Sequence, residues 1–518
     1  MIYDAVILGS GHNGLILQGY LGRAGLSTVC VERRDELGGG LSTVEHPLGS
    51  GFLHNTHSFF HRALDRMPWY SDLELENHGA VYIQPELNVA MVLRDGRALQ
   101  WWSDFEKTAA SFAQFSENDA ESLRRWRGEF RAVVQDILID ESQSPPLPPE
   151  ERKSKLQQSS QGRLLVQISK LSPLEFVQRE FENPVVQAGL LFFNGLREVD
   201  LRLPGFGHHI PALLAADGMA QMCIGGSKRL SDALVAAIRQ SGGEFRTLTT
   251  PKRIVVEGGR ATGVETADGE LIRARKLVAS SLNPQQTFLE LIDEQHLPSE
   301  WIERARNFQY NLLAPLFALN LNLNQPPQYS AAKELPELDD ALMVILGLEH
   351  VDQFMEIVEH HERGTIPPTV MWGACPTRHD PSQAPANHHA AFMWEKLPYR
   401  LHGEPRNWDP IQDEHGRDML ELWGQYAPNV LDALDSFTRS PHDIQQTLWN
   451  MQGGDLLVGA FAGGQVGYNR PFPGAGHYRG HIGGLYLCGS SCHPGGNITG
   501  LPAYNAKQVI FADLGISS

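Results

Sequence analysis

Residues 2–14 read Ile-Tyr-Asp-Ala-Val-Ile-Leu-Gly-Ser-Gly-His-Asn-Gly, and this stretch decides the fold. The run from Ile2 to Leu8 is apolar and β-branched, which predicts a buried parallel strand. The next glycines have the spacing GxGxxG, an apolar helix is predicted over residues 15 to about 24, and a second strand over 27–31. Glu32 stands at the end of that second strand. This order of strand, glycine turn, helix, strand and acid is typical of a dinucleotide-binding βαβ unit.

The residues of this unit have separate physical roles. Gly9 permits the tight turn, Gly11 lets a pyrophosphate approach the backbone, and Gly14 lets the helix pack closely on the strand. Glu32 is placed to accept hydrogen bonds from a ribose diol. His12 and Asn13 lie between the glycines and are predicted cofactor neighbours. An ordinary tight βα turn is the alternative, and the complete context argues against it.

A second glycine cluster follows the acid and bears on which dinucleotide is bound. Arg33 is followed within a few residues by Gly38-Gly39-Gly40, whereas a simple NAD dehydrogenase would continue into another helix and strand. Later in the chain, Gly474-Ala475-Gly476 lacks a third glycine, so no second complete unit is found. We therefore expect one dinucleotide, FAD, with Arg33, Gly39 and Gly40 among the residues that bind it.

The other end of the chain carries a second glycine-rich turn. A short apolar strand around residues 485–488 runs into Gly489 and then into His493-Pro494-Gly495-Gly496-Asn497-Ile498. A helix is predicted after this turn, with Pro502 in its first turn, where a missing N–H costs nothing. Its N-terminus would favour negative charge nearby. We predict that Gly489, Gly495, Gly496, Asn497 and Ile498 complete the flavin site; a packed turn between strand and helix is the alternative.

These motifs resemble those of the phytoene-desaturase-like FAD flavoproteins, which include carotenoid desaturases, a carotenoid ketolase and the pyridine nucleotide-disulphide oxidoreductase domain-containing relatives. The similar segments are Gly9 to Leu15, Glu32-Arg33-Arg34, Gly453-Gly454-Asp455, Arg470-Pro471 and the ending from Leu487 to Ala506. The resemblance implies an FAD-dependent oxidoreductase. It also implies that the final helix lies against the flavin edge where negative charge builds on reduction.

The composition describes an ordinary globular protein of more than one domain, with 518 residues, 42% hydrophobic and 20% charged. A net charge of −18 argues against nucleic acid and against an anionic membrane as an electrostatic partner. Five cysteines, an odd number, argue against a disulfide framework and favour a reducing cytoplasm. No run approaches the length that spans a bilayer, which leaves room only for peripheral membrane contact. The sequence does not indicate an oligomeric state.

We expect an α/β protein of mixed α+β character. A three-layer ββα FAD-binding domain of Rossmann-like type is interleaved with a substrate domain of mixed sheet and helices. The FAD-binding domain is predicted to comprise residues 1–75, 220–298 and 470–518, and the substrate domain residues 76–219 and 299–469. Residues 141–162 are rich in Ser, Pro and Gln and are expected to form an exposed mobile loop.

Histidines and cysteines offer the remaining candidates for chemistry. The spacing of His54, His57 and His61 could place them on one helical face, but no regularly spaced carboxylate or thiolate accompanies them, so no metal site is predicted. His57 and His209 are weak candidates for a proton acceptor near the substrate. Cys488 and Cys492 could form a dithiol relay, but small residues packed against a cofactor are the preferred interpretation.

The leading functional hypothesis is dehydrogenation, or desaturation, of an apolar or partly apolar small molecule. Hydride passes to the flavin, which is reoxidised by oxygen or a quinone. A flavin amine oxidase is the first alternative, although Ser490 follows Gly489 where that group usually has glutamate and no flavin-side lysine can be placed. A non-catalytic flavin-binding interaction protein is the second alternative.

Overall fold

The structure is a computed structural model that describes residues 2–193 and 199–517. Its strands are β1 Ile2–Leu8, β2 Thr28–Val31, β3 Thr43–Glu45, β4 Leu53–Asn55, β5 Phe60–Arg62, β6 Tyr82–Ile83, β7 Leu87–Val92, β8 Ala98–Trp102, β9 Ala220–Cys223, β10 Glu244–Arg246, β11 Pro251–Glu257, β12 Arg260–Thr266, β13 Leu271–Ser280, β14 Leu316–Leu323, β15 Met343–Leu346, β16 Met371–Ala374, β17 His389–Lys396, β18 Asp435–Arg439 and β19 Leu485–Leu487.

The α-helices lie between groups of these strands along the chain. They are α1 His12–Arg23, α2 Pro68–Asp72, α3 Phe105–Ala113, α4 Glu117–Val133, α5 Ile139–Ser142, α6 Pro149–Gln157, α7 Ser160–Ile168, α8 Pro173–Glu180, α9 Pro184–Phe193, α10 His209–Ala215, α11 Lys228–Gln240, α12 Ser299–Arg306, α13 Asp352–Arg363, α14 Gln412–Tyr426, α15 Pro441–Thr447 and α16 Leu501–Leu514.

The first large sheet has the order β10-β2-β1-β13-β12-β11, and β19 also pairs with β13. The pairs β10/β2, β2/β1, β1/β13 and β13/β19 are parallel, whereas β12 and β11 extend the sheet as an antiparallel hairpin. Helices α1, α11 and α16 pack together beside it. Apart from Asp4 and Thr28, the residues of β1 and β2 are apolar and most of them are buried, as expected for parallel strands covered on both faces.

The second large sheet has the order β18-β14-β17-β16-β15-β7-β8 and is mostly antiparallel. Helices α3, α4 and α6 to α10 contribute apolar side chains to a core that they share with one face of this sheet. A small sheet, β5-β9-β6, joins strands from distant parts of the chain. The expectation of a mixed α/β fold with a Rossmann-like unit is confirmed.

The predicted domain limits stay a prediction, and they include residues 1, 194–198 and 518, which lie outside the described residues. Every strand of the first sheet comes from residues 1–75, 220–298 or 470–518, and every strand of the second from 76–219 or 299–469. The interleaving therefore arises because the chain leaves and re-enters each sheet more than once.

Three local predictions were wrong. Residues 141–162 are largely helical, because Pro149 begins α6 where its fixed φ suits a helix, and Leu156 is buried against the core. The helix expected from residue 15 begins at His12. His54 and His61 lie on strands rather than on one helical face. In residues 2–193 and 199–517, no helix is long and apolar enough to cross a membrane.

Candidate functional site

A cavity lies beside the glycine turn at the carboxyl ends of β1, β2 and β13, which is where open α/β sheets bind ligands. We refer to it as the glycine-turn cavity. Residues from five separate parts of the chain form its wall: Gly9, Gly11, His12, Asn13, Val31, Glu32, Arg33, Arg34, Gly39, Gly40, Pro251, Ser281, Leu282, Leu448, Trp449, Asn450, Met451, Leu456, Val458, Ser490, Asn497 and Ile498.

The turn itself depends on glycine at two positions for different reasons. Gly9 has a φ of +86°, a conformation that residues with side chains rarely adopt. At Gly14 a Cβ atom would lie 2.1 Å from the carbonyl oxygen of Gly9, so any side chain would push α1 away from β1. Both requirements match the roles expected from the sequence.

The N-terminus of α1 fits an anionic group. Gly11 is the N-cap of this helix, and no side chain caps it, so the first N–H groups are left for a ligand. A Cβ atom on Gly11 would meet no atom within 4 Å, which shows that the backbone faces open space there. A pyrophosphate could therefore approach the bare backbone of the turn, as FAD requires.

Glu32 holds the turn as well as facing the cavity. Its Oε2 atom accepts hydrogen bonds from the backbone N–H of Ser10 at 3.0 Å and from the Ser10 hydroxyl at 2.8 Å. Its Oε1 atom accepts a bond from the backbone N–H of Arg34 at 3.0 Å. These bonds leave part of the acceptor capacity of the carboxylate for a ribose hydroxyl.

The two ends of the chain meet at Asn13. Its Nδ2 atom donates to the Ser490 hydroxyl at 3.1 Å, and its Oδ1 atom accepts from the backbone N–H of Ala503 at 3.4 Å. The indole of Trp69 donates to the carbonyl oxygen of Thr499 at 2.7 Å. The glycine turn and the C-terminal turn therefore belong to one site.

The predicted cofactor residues divide into two groups. Those in the wall of the glycine-turn cavity are Gly9, Gly11, His12, Asn13, Glu32, Arg33, Gly39, Gly40, Asn497 and Ile498. Those behind the wall are Gly14, Gly489, Gly495 and Gly496. At Gly489 and Gly496 a Cβ atom would lie 2.3 Å and 2.1 Å from the carbonyl oxygens of Ser281 and Leu457, so these glycines allow close packing.

Sequence reasoning missed several wall residues. Ser281 and Leu282 follow β13, and the Ser281 hydroxyl donates to the carbonyl oxygens of Leu8 and Gly9 at 2.8 and 3.0 Å. Both residues follow a strand that pairs with β1, and residues in that position lie at the ligand-binding edge of a parallel sheet, so they could have been predicted. The ring centre of Trp449 lies 5.5 Å from the guanidinium carbon of Arg33. Trp449 belongs to no sequence motif, so its place in the wall could not be predicted.

Arg470 is a buried cation next to Ser490, one of the residues that line the glycine-turn cavity. Its side chain is fully buried and donates to the carbonyl oxygens of Gly459, Ala460, Gln465 and Ser490 at 2.9–3.4 Å. Its guanidinium lies 4.3 Å from the ring centre of Phe461. Burial lowers the pKa of Arg470 to about 10, which still leaves it charged at neutral pH.

A second and larger cavity adjoins the first. It has a volume of about 1420 Å³ and shares Asn497 and Ile498 with the glycine-turn cavity. We refer to it as the large cavity. Its wall comes mainly from α5, α6, α7, α10 and the two loops 461–469 and 493–501. Apolar side chains dominate its interior, among them Phe60, Leu138, Leu156, Leu165, Phe461 and Leu501.

The two weak catalytic candidates lie in different places. His209 lines the large cavity, and burial lowers its pKa to about 4, so its ring is neutral at neutral pH. Its neighbour His208 also lines the cavity and is bonded to the Ser169 hydroxyl at 2.9 Å. His57 lines neither cavity, and its Nδ1 atom lies 2.9 Å from the Thr56 hydroxyl.

The described residues contain no group of three or more His, Cys, Asp or Glu placed to hold a metal ion. All five cysteines are free thiols. Burial raises the pKa of Cys492 to about 12 and that of Cys488 well above its usual range, which makes thiolate chemistry unfavourable at neutral pH.

Comparison with known proteins gives consistent findings. The family described as flavin containing amine oxidoreductase matches residues 14–396. One of the subunits of limonene dehydrogenase from Castellaniella defragrans is 30% identical, over 99% of this chain and 95% of its own length. Pyridine nucleotide-disulfide oxidoreductase domain-containing protein 2 of Rattus norvegicus is 28% identical, over 99% of this chain and 94% of its own length. Phytoene desaturases also match.

A solved structure of putrescine oxidase with bound putrescine superposes with a TM-score of 0.64. The superposition covers 99% of each chain at 12% sequence identity. At that identity the likeness concerns the fold alone.

Proposed function

The chain belongs to the flavin-containing amine oxidoreductase family, and from this premise we propose that it dehydrogenates an apolar or partly apolar small molecule. In this reaction the substrate loses a hydride to FAD and a proton to a base or to solvent, and a carbon–carbon double bond forms. Oxygen or a quinone would be the final electron acceptor.

Membership of this family bears out three expectations from the sequence. The chain resembles the desaturase-like flavoproteins, it is an oxidoreductase, and its cofactor is FAD. When bound, FAD supplies the two-electron acceptor for the reaction. The protein supplies position and electrostatics: Gly9 and Gly11 present bare backbone, α1 offers unpaired N–H groups, and Glu32 offers a carboxylate.

One observation carries the proposed substrate class. The large cavity is mainly apolar, and it meets the glycine-turn cavity at Asn497 and Ile498. A substrate in the large cavity would therefore reach bound FAD from the side of the C-terminal turn. The similar limonene dehydrogenase is named after a hydrocarbon substrate, which supports an apolar substrate here as well.

Amine oxidation is the second candidate, favoured by the family description and by the fold of putrescine oxidase. The charges around the large cavity oppose it. Five cationic side chains line this cavity against two carboxylates, which makes a poor environment for an ammonium group. No lysine is among the residues that line the glycine-turn cavity in the described part of the chain.

Anaerobic mixing of the FAD-loaded protein with a substrate panel tests the proposal. The panel contains monocyclic terpenes, polyenes, long-chain alkenes and primary amines, and the loss of the oxidised flavin absorption reports reduction. We expect an apolar compound to reduce the flavin faster than any amine and faster than NADH. Faster reduction by an amine would establish the oxidase instead. A flavin that stays oxidised with the whole panel would favour the non-catalytic alternative.

A further inference from the structure

The charge of the large cavity is opposite to the charge of the chain. The whole sequence has 61 Asp and Glu against 43 Lys and Arg. The wall of the large cavity has Arg62, Arg66, Arg152, Lys153 and Lys170 against Glu141 and Asp217. The protein is negative overall and this cavity is positive, so the cavity attracts negatively charged ligands.

Both carboxylates of this wall are already engaged. Glu141 accepts two hydrogen bonds from the guanidinium of Arg152, at 2.7 and 2.8 Å. Asp217 faces two arginines that do not line the cavity, Arg127 at 3.4 Å and Arg131 at 3.3 Å. Within the part of the chain that the structure describes, neither Arg66 nor Lys170 forms an ion pair. Positive charge on the wall is therefore left without a counter-charge.

The cations and the apolar side chains occupy different depths. Arg66 and Lys170 are exposed to solvent, and we refer to these two residues as the mouth cations; Arg152 and Lys153, also exposed, are paired with Glu141 and Glu150. Apolar residues such as Leu156, Leu165 and Phe461 are buried or half-buried in the same wall. A ligand that fits both features has an apolar body inside and a negative group at the opening.

We propose that the substrate is an amphiphile: an apolar chain or ring system that carries one anionic group, a carboxylate or a phosphate. The apolar part lies in the large cavity toward Ile498, and the mouth cations hold the anionic group. This inference rests on the proposed dehydrogenation, because that proposal makes the large cavity the substrate site. It goes further because neither an apolar hydrocarbon nor an amine needs cations at the opening.

Binding to the oxidised, FAD-loaded protein tests this inference without any turnover. Dodecanoate, dodecyl phosphate, dodecanol and dodecylamine are titrated below their micelle concentrations, and the shift of the flavin absorption bands gives each dissociation constant. We expect the two anions to bind about tenfold more tightly than the alcohol, because charge-assisted hydrogen bonds exceed neutral ones. The amine should bind most weakly, and added salt should reduce the difference between the anions and the alcohol.

Charge reversal at the opening gives the decisive comparison. Arg66→Glu and Lys170→Glu should each weaken dodecanoate binding by roughly fivefold, as expected for exposed charges, and leave dodecanol binding unchanged. Lys333→Glu is the matched control, since this exposed lysine lies outside the cavity wall. Equal affinity for the anion and the alcohol, or equal effects of the three variants, would overturn the inference.

Sedimentation with lipid vesicles tests whether the mouth cations bind an anionic membrane surface rather than the anionic group of a substrate. Vesicles of phosphatidylglycerol are compared with vesicles of phosphatidylcholine. If the two charge reversals abolish binding to the anionic vesicles but do not alter dodecanoate binding, the mouth cations serve a membrane surface and the substrate inference fails. If dodecanoate binds as expected but neither a panel compound nor an unsaturated anionic amphiphile reduces the flavin, the proposed dehydrogenation fails while the amphiphile site stands.

Discussion

The two cavities share Asn497 and Ile498, but backbone atoms form the key surface of one and side chains form the surface of the other. Backbone forms the critical surface of the glycine-turn cavity: the bare turn at Gly11, the uncapped start of α1 and the close contact of Gly14 with Gly9. Side chains from short helices form the large cavity, and many of them could be exchanged for other apolar residues. The first cavity therefore demands particular residues, whereas the interior of the second demands only size and hydrophobicity.

This difference predicts how each cavity responds to substitution. A side chain added to the backbone surface should remove the cofactor and with it every activity. A side chain added to the large cavity should alter substrate binding and leave the cofactor in place. Four substitutions test this contrast, in order of decreasing effect.

Gly11→Val should give the largest effect, a folded protein without bound FAD. The new side chain would enter the open space that the pyrophosphate needs, and its Cβ atom would have no protein atom within 4 Å, so we expect the fold to be kept. The absence of yellow colour together with a cooperative thermal unfolding transition would show this result. Gly128→Val, at a glycine of α4 that also has no neighbour within 4 Å, is the control and should stay yellow. Yellow protein in both variants would contradict the assignment of the turn.

The same contrast explains how much could be predicted from the sequence. Gly9, Gly11, Gly14 and Glu32 were predicted because a turn and a close approach admit few other residues. The walls of the large cavity were not predicted, since Leu156, Leu165 and Phe461 have no spacing that differs from an ordinary core. The sequence predicts a loop at residues 141–162 because this segment is rich in Ser, Pro and Gln. That prediction is wrong because Pro149 also suits the first turn of a helix, where it begins α6.

Arg470→Gln should have the next largest effect, a loss of stability of about 3 kcal/mol, because it removes charge-assisted hydrogen bonds to buried carbonyl oxygens. Chemical denaturation of the FAD-loaded protein measures the change. Arg124→Gln is the control: it breaks only an exposed ion pair with Glu106, so its effect should stay below about 1 kcal/mol. Equal losses in the two variants would show that the buried guanidinium does not hold the loops around the cofactor.

Ala212→Trp tests the large cavity, whose wall includes Ala212 on α10. The indole would take up part of the volume, so the rate of flavin reduction by a bulky apolar substrate should fall by about tenfold or more, as misplacement of a substrate implies. The FAD content should be unchanged. Ala236→Trp, on the exposed face of α11, should change neither quantity. Loss of FAD in Ala212→Trp would show that the two cavities are not separable in the way proposed.

His209→Asn should have the smallest effect and a distinctive dependence on pH. Burial lowers the pKa of His209 to about 4 in the folded protein, whereas an unfolded histidine has a pKa near 6.5. The unfolded state therefore binds the extra proton first, so the contribution of the neutral ring is complete above pH ~6.5 and is lost as the pH falls toward 4. Removing the histidine should make the acid-induced loss of stability shallower across this range. Unfolding free energies measured from pH 4 to pH 8 for the variant and the parent protein give the two profiles, and identical profiles would place His209 in a more solvated setting than the large cavity provides.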